Sequence, residues 1–86
     1  INRSGMVQIT SGLSRMGLSH IPSAGNFVAV KVGNAAAINH SLLKQGVIVR
    51  PIANYGMPEF LRVSIGLEAE NARFLQALEH SLAALD

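Results

Sequence analysis

Cysteine is absent from this 86-residue sequence. Without thiols there is no disulfide framework and no thiolate metal site, an absence that fits a cytoplasmic protein. Charge is scarce as well. Asp, Glu, Lys and Arg make up 14% of the residues, against about 25% in ordinary soluble domains. A surface with so few charges is one that something else partly covers, either a further domain or an oligomer contact. The seven Lys and Arg outnumber the five acids, for a formal net charge of +2, but they form no run. Nucleic-acid binding therefore has no support. No apolar stretch approaches the ~20 residues that cross a bilayer, and no signal peptide is visible. The chain begins at Ile1 rather than Met. Its length suits one domain, residues 1–86, which buries roughly 60–65% of the surface its unfolded chain exposes.

What the chain does have is apolar periodicity, with 49% of residues hydrophobic. Met6, Ile9, Leu13 and Met16 recur at three- and four-residue steps, which predicts a helix over Arg3–Met16. Gly5 and Gly12 weaken it, each by ~1 kcal/mol relative to Ala, and Gly17 ends it. Pro22 and Gly25 read as a loop. The nearly continuous apolar run Phe27–Val32 predicts a strand covered on both faces. Asn34 caps the next helix, whose stripe is Ala35, Ile38 and Leu42 with Leu43, and which ends at Lys44 and Gly46. Val47–Val49 reads as a short strand that Pro51 stops, and residues 52–59 as a loop. In Phe60–Ile65 the alternation is clean: Leu61, Val63 and Ile65 point one way, Arg62 and Ser64 the other. A last helix runs from about Glu68 to Leu85 with the stripe Leu75, Leu78, Leu82 and Leu85. The order α-β-α-β-β-α predicts an α/β sandwich with helices packed over a small sheet.

Residues that carry chemistry are few. His20, His40 and His80 lie far apart without metal-ligand spacing. The serines have no nucleophile-elbow context. Gly12–Gly17 lacks the Gly-Lys-Ser/Thr ending of a phosphate loop. Two arginines remain. Arg62 sits inside a strand and faces away from its apolar row, and Arg50 stands between Val49 and Pro51. A planar five-donor guanidinium suits a carboxylate or phosphate, which it binds through parallel hydrogen bonds. The pattern leaves other readings open: an exposed strand residue or a structural ion pair for Arg62, and a cap on a loop carbonyl for Arg50.

Several pieces in order carry a resemblance that spans about Leu13 to Leu78. They are Ile21-Pro22-Ser23-Ala24-Gly25-Asn26-Phe27, Leu42–Gly46, Gly46-Val47-Ile48-Val49-Arg50-Pro51, Tyr55-Gly56-Met57-Pro58, Leu61-Arg62-Val63-Ser64-Ile65-Gly66, Glu70-Asn71 and Phe74-Leu75. Together they resemble the C-terminal small domain of histidinol-phosphate aminotransferases, within the class I/II pyridoxal-phosphate aminotransferases. The resemblance implies a partner in the same chain, a large domain whose lysine holds pyridoxal phosphate. It also implies a cytoplasmic homodimer that transfers an amino group between histidinol phosphate and glutamate. Arg62 matches the strand arginine that grips the substrate's anionic end, and Arg50 a second arginine that holds the phosphate. By the same resemblance no catalytic or cofactor-binding residue lies in this chain, and neither Lys31 nor Lys44 sits in the Schiff-base motif. Asn26 would bond loop backbone and Tyr55 would pack under the turn. Leu67 stands where many relatives place a Ser or Thr cap. Threonine-phosphate decarboxylases and aromatic aminotransferases share the pattern. Size and element order alone also suit a free-standing α/β module that binds a ligand or partner.

Overall fold

The structure, a computed structural model, describes residues 2–23 and 25–85, and at Asn54 the backbone alone; Ala24 of the Pro-Ser stretch thus lies outside the described residues. The chain runs α1 (Arg3–Arg15), β1 (His20–Pro22), β2 (Phe27–Lys31), α2 (Ala35–Lys44), β3 (Arg50–Pro51), a 3-10 turn at Ala53–Tyr55, β4 (Phe60–Ser64) and α3 (Glu68–Ala84). The strands form one antiparallel sheet in the order β1-β2-β4-β3. The expected order holds, with β1 as an additional edge strand. A three-residue segment ending in proline has too little alternation to stand out in the sequence.

Each helix begins and ends for a local reason. The Asn2 side chain accepts from the Gly5 N–H at 2.8 Å and opens α1. Asn34 does the same for α2 through the Ala37 N–H at 3.1 Å. Both helices close on a glycine with positive φ, Gly17 at 76° and Gly46 at 78°. In each case the residue after the glycine folds back, Leu18 onto the Leu13 carbonyl and Val47 onto the Leu42 carbonyl. This paired closure satisfies the last carbonyls and brings two core residues together at each helix end. At α3 the Leu67 side chain offers no acceptor, and half a capping box remains: the Glu70 carboxylate accepts from the Leu67 N–H at 2.8 Å.

The core lies between one face of the sheet and the three helices. Val28, Val30 and Leu61 are fully buried and Val63 nearly so, against Ile9 and Leu13 of α1, Ile38 and Leu42 of α2, and Phe74 and Leu78 of α3. The strand Phe27–Lys31 is therefore covered on one face only. Val28 and Val30 are buried while Phe27 and Lys31 are exposed, which corrects the two-sided cover expected from its apolar run.

Three further expectations shift. Val47–Val49 has no strand partner, because Val47 is still tied to the end of α2 and the chain reaches the sheet only at Arg50. Pairing does end at Pro51, on an edge strand where its missing donor costs nothing. Between Val47–Val49 and the end of β4 lies an open cleft of about 420 Å3. Leu43 of α2 is exposed rather than part of the buried stripe. On α3 the buried face is Asn71, Phe74, Ala77, Leu78 and Ser81, while Leu75 and Leu82 are half-buried and Leu85 exposed. The stripe rotates because two polar side chains find partners inside. Ser81 meets the Ser41 hydroxyl at 2.7 Å and accepts from Gln45 at 3.0 Å, which ties α3 to α2.

Asn71, 2% exposed, locks the passage from β4 into α3. Its Oδ1 accepts from the Gly66 N–H at 2.9 Å, and its Nδ2 donates to the Gly66 carbonyl and to Gln8 Oε1, each at 3.0 Å. Asn2 donates to the same carbonyl at 3.0 Å. The glycines of α1 have a packing reason. A Cβ on Gly5 would stand 2.5 Å from Ile65 Cγ2, and one on Gly12 would stand 2.6 Å from Leu75 Cδ1.

Two outcomes are expected in chemical denaturation. Gly5→Ala gains ~1 kcal/mol of helix propensity but collides with a buried β-branched side chain and the capping Asn2; overpacking wins, with a net loss of about 1–2 kcal/mol. Asn71→Ala removes three hydrogen bonds from a buried site and lowers stability by about 2–3 kcal/mol.

Candidate functional site

The face of the sheet that carries no helix holds both arginines picked out from the sequence. Residues directly opposite one another in antiparallel strands share a face. The register runs Ile21–Ala29–Arg62–Arg50 across all four strands, so Arg62 and Arg50 stand side by side, with Cβ atoms of such pairs ~4.5–5.5 Å apart. The neighbouring rows on the same face are Phe27–Ser64 and Lys31–Phe60. Among the described strand residues, the ionisable groups that the register places there are Lys31, Arg50 and Arg62, all cations.

Arg62 is half-buried and Arg50 exposed. The Arg62 guanidinium lies over the Phe27 ring, 4.8 Å from its centroid. Its strand neighbours are Ala29 and Arg50, and no acid partner engages it among the described residues. Arg73 shows the contrasting arrangement: it donates to the carbonyl of Gln45 and ties α3 to the end of α2. Like charges placed directly opposite destabilise a sheet. A cationic pair of this kind is a cost to the sheet rather than a cross-strand attraction.

The other residues read from the sequence are dispersed. His20 is on β1, with its Nδ1 3.1 Å from the Leu18 carbonyl, while His40 and His80 lie exposed on α2 and α3. Asn26 does bond backbone, as expected: its Oδ1 accepts from the Asn2 N–H at 2.7 Å, and its carbonyl accepts from Ile65 N–H at 2.8 Å. Tyr55 does not pack under the turn. It is 74% exposed on the 3-10 turn. The residue that sequence reasoning missed is Phe27. In the sequence it marks the start of an apolar strand and the end of the Pro-Ser stretch, and its place beside Arg62 depends on the register of β2 on β4, which no local pattern encodes.

Helices layered on one face of an antiparallel sheet, with cations on the bare face, define a two-layer α/β domain. The aminotransferase class I and II family profile matches residues 4–78, and the chain belongs to that family. It is 66% identical over 82 residues to histidinol-phosphate aminotransferase 1 of Dechloromonas aromatica, covering 95% of this chain and 23% of that protein. It is 62% identical to the histidinol-phosphate aminotransferase of Methylobacillus flagellatus, covering 95% of this chain and 22% of that one. The fold matches the crystal structure of histidinol-phosphate aminotransferase from Sinorhizobium meliloti in complex with pyridoxal-5'-phosphate. That match has a TM-score of 0.84 and 27% identity, over 98% of this chain and 24% of that one. The chain thus spans about a quarter of the length of these relatives.

If the arginine pair serves a ligand and not the fold, Arg50→Gln leaves stability unchanged or raises it by up to ~0.5 kcal/mol, because it removes a cross-strand repulsion. A denaturation midpoint measured with and without the substitution checks this.

Proposed function

We propose that residues 1–86 form the C-terminal small domain of a pyridoxal-phosphate-dependent histidinol-phosphate aminotransferase, in which Arg62 and Arg50 grip the anionic end of the substrate. The observation that carries the reading is the arginine pair on the bare sheet face, which no acid neutralises among the described residues. The names of the relatives supply the substrate. In the full enzyme, a cytoplasmic homodimer on this reading, a large domain of the same chain faces that surface.

Pyridoxal phosphate does not fit the residues of this chain. Lys31 lies exposed at the end of β2 and Lys44 exposed at the end of α2, neither in an enclosed site that would hold an aromatic cofactor. The group that binds it belongs to the large domain. The contribution of this chain is position and charge.

Arg62 accepts the α-carboxylate of glutamate through two parallel N–H···O bonds from the edge of its guanidinium. Histidinol phosphate has no carboxylate and presents a dianionic phosphate instead. Arg50, one strand away, supplies a second guanidinium for the additional charge. One site thereby serves both half-reactions, with a single arginine sufficient for the monoanion and the pair engaged by the dianion. Fixing the substrate's far end holds its amino group at a constant distance from the cofactor.

In the full-length enzyme, Arg62→Ala is expected to raise KM for both glutamate and histidinol phosphate. It should lower kcat/KM by about 3 kcal/mol, roughly a hundredfold, as for loss of charge-assisted hydrogen bonds. Near-normal steady-state kinetics with both substrates overturns the reading.

A further inference from the structure

We infer that Phe27 is a positioning residue for Arg62, setting the direction in which the guanidinium presents its donors; the inference rests on the anion grip proposed for Arg62. The ring centroid lies 4.8 Å from the guanidinium carbon. Phe27 opens β2 opposite Ser64, two residues along β4 from Arg62, so the ring reaches the arginine diagonally across the strands. Phe27 is 38% exposed and lies outside the core cluster. Its ring faces the arginine in place of the packed interior.

The chemistry of the contact explains why an aromatic ring suits this position. A guanidinium is planar, with its five N–H donors around its edge. A guanidinium stacked on a ring uses the face of its plane, whereas a carboxylate or phosphate uses the edge. The ring therefore restrains the arginine without consuming a donor and without neutralising it. A carboxylate in the same place would hold the arginine equally well and occupy the donors the substrate needs. Two neighbours reinforce the arrangement. Ala29, directly opposite Arg62 on β2, is small and leaves room for the side chain to lean that way. Arg50, directly opposite on the other side, repels it in the same direction. An unrestrained arginine has several rotatable bonds to order when an anion arrives, and prior ordering lowers that cost.

Kinetics of the full-length enzyme test this with Phe27→Leu, which removes the π face and keeps an apolar side chain, and Phe27→Tyr, which keeps the face. Phe27→Leu is expected to raise KM for glutamate and histidinol phosphate by roughly three- to thirtyfold, the range of an exposed to a desolvated cation–π contact, with a smaller change in kcat. Phe27→Tyr should stay within about twofold of the parent. On an Arg62→Ala background, Phe27→Leu should cause no further loss. Parent-like KM values for Phe27→Leu, or a loss that persists undiminished on the Arg62→Ala background, overturn the inference. If Phe27→Leu lacks a cooperative thermal transition, Phe27→Met is measured in its place with the same expectations. An Arg62→Ala enzyme with normal kinetics would instead remove the grip itself. An impaired Arg62→Ala enzyme beside an unimpaired Phe27→Leu enzyme removes only the role of Phe27.

Discussion

The packing of this domain is built around the pairing of β2 with β4 at the centre of the sheet. Five residues of each strand face one another, from Phe27 opposite Ser64 to Lys31 opposite Phe60. All three helices cover one side, so every residue in these strands is either core or open surface. A slip of one position would turn either Val28 and Val30 of β2 or Leu61 and Val63 of β4 outward, and in the second case carry Arg62 into the interior. Burial of those four side chains, each worth about 1.5–3 kcal/mol, thus holds the register that presents the guanidinium.

A network of small polar groups secures the same register at one end of the sheet. Asn26 immediately precedes Phe27. Its carbonyl accepts from Ile65 N–H just beyond β4, and its side chain accepts from the backbone of Asn2. Asn2 in turn caps α1 and donates to the Gly66 carbonyl, which Asn71 also holds. The turn before β2, the start of α1 and the start of α3 therefore meet around one glycine. Bulk is excluded there: the Cβ that Gly5 lacks would press on Ile65 and Asn2. The network that closes the core also fixes where the Phe27 ring stands, and with it the direction of Arg62 on the proposed reading.

On the bare face the electrostatics run against folding. Lys31, Arg50 and Arg62 share it, and repulsion between opposite arginines is a small, standing cost. The proposed anion grip would offset that cost when substrate binds. Family membership gives this arrangement a setting. The relatives named for histidinol phosphate are about four times longer than this chain, and the proposed grip needs that larger part to bring substrate and cofactor to the arginines.

Much of the fold was legible in the residues themselves. The boundaries of α1, α2 and α3, the Asn34 cap, the closing glycines and the alternation of β4 follow from interactions within a few positions, which a linear sequence records directly. Arg62 stood out for the same reason, as a charge on the polar side of an alternating strand. The lapses share one cause. The open face of β2, the unpaired Val47–Val49, the rotated stripe of α3, exposed Tyr55 and the Phe27–Arg62 contact each depend on which distant segment lies alongside. The helices, the strand alternation and the candidate arginines are encoded locally, because periodicity and capping act over a few residues. The gathering of Arg50, Arg62 and Phe27 on one uncovered face is a product of long-range packing, because strand register is set by burial summed over the whole core.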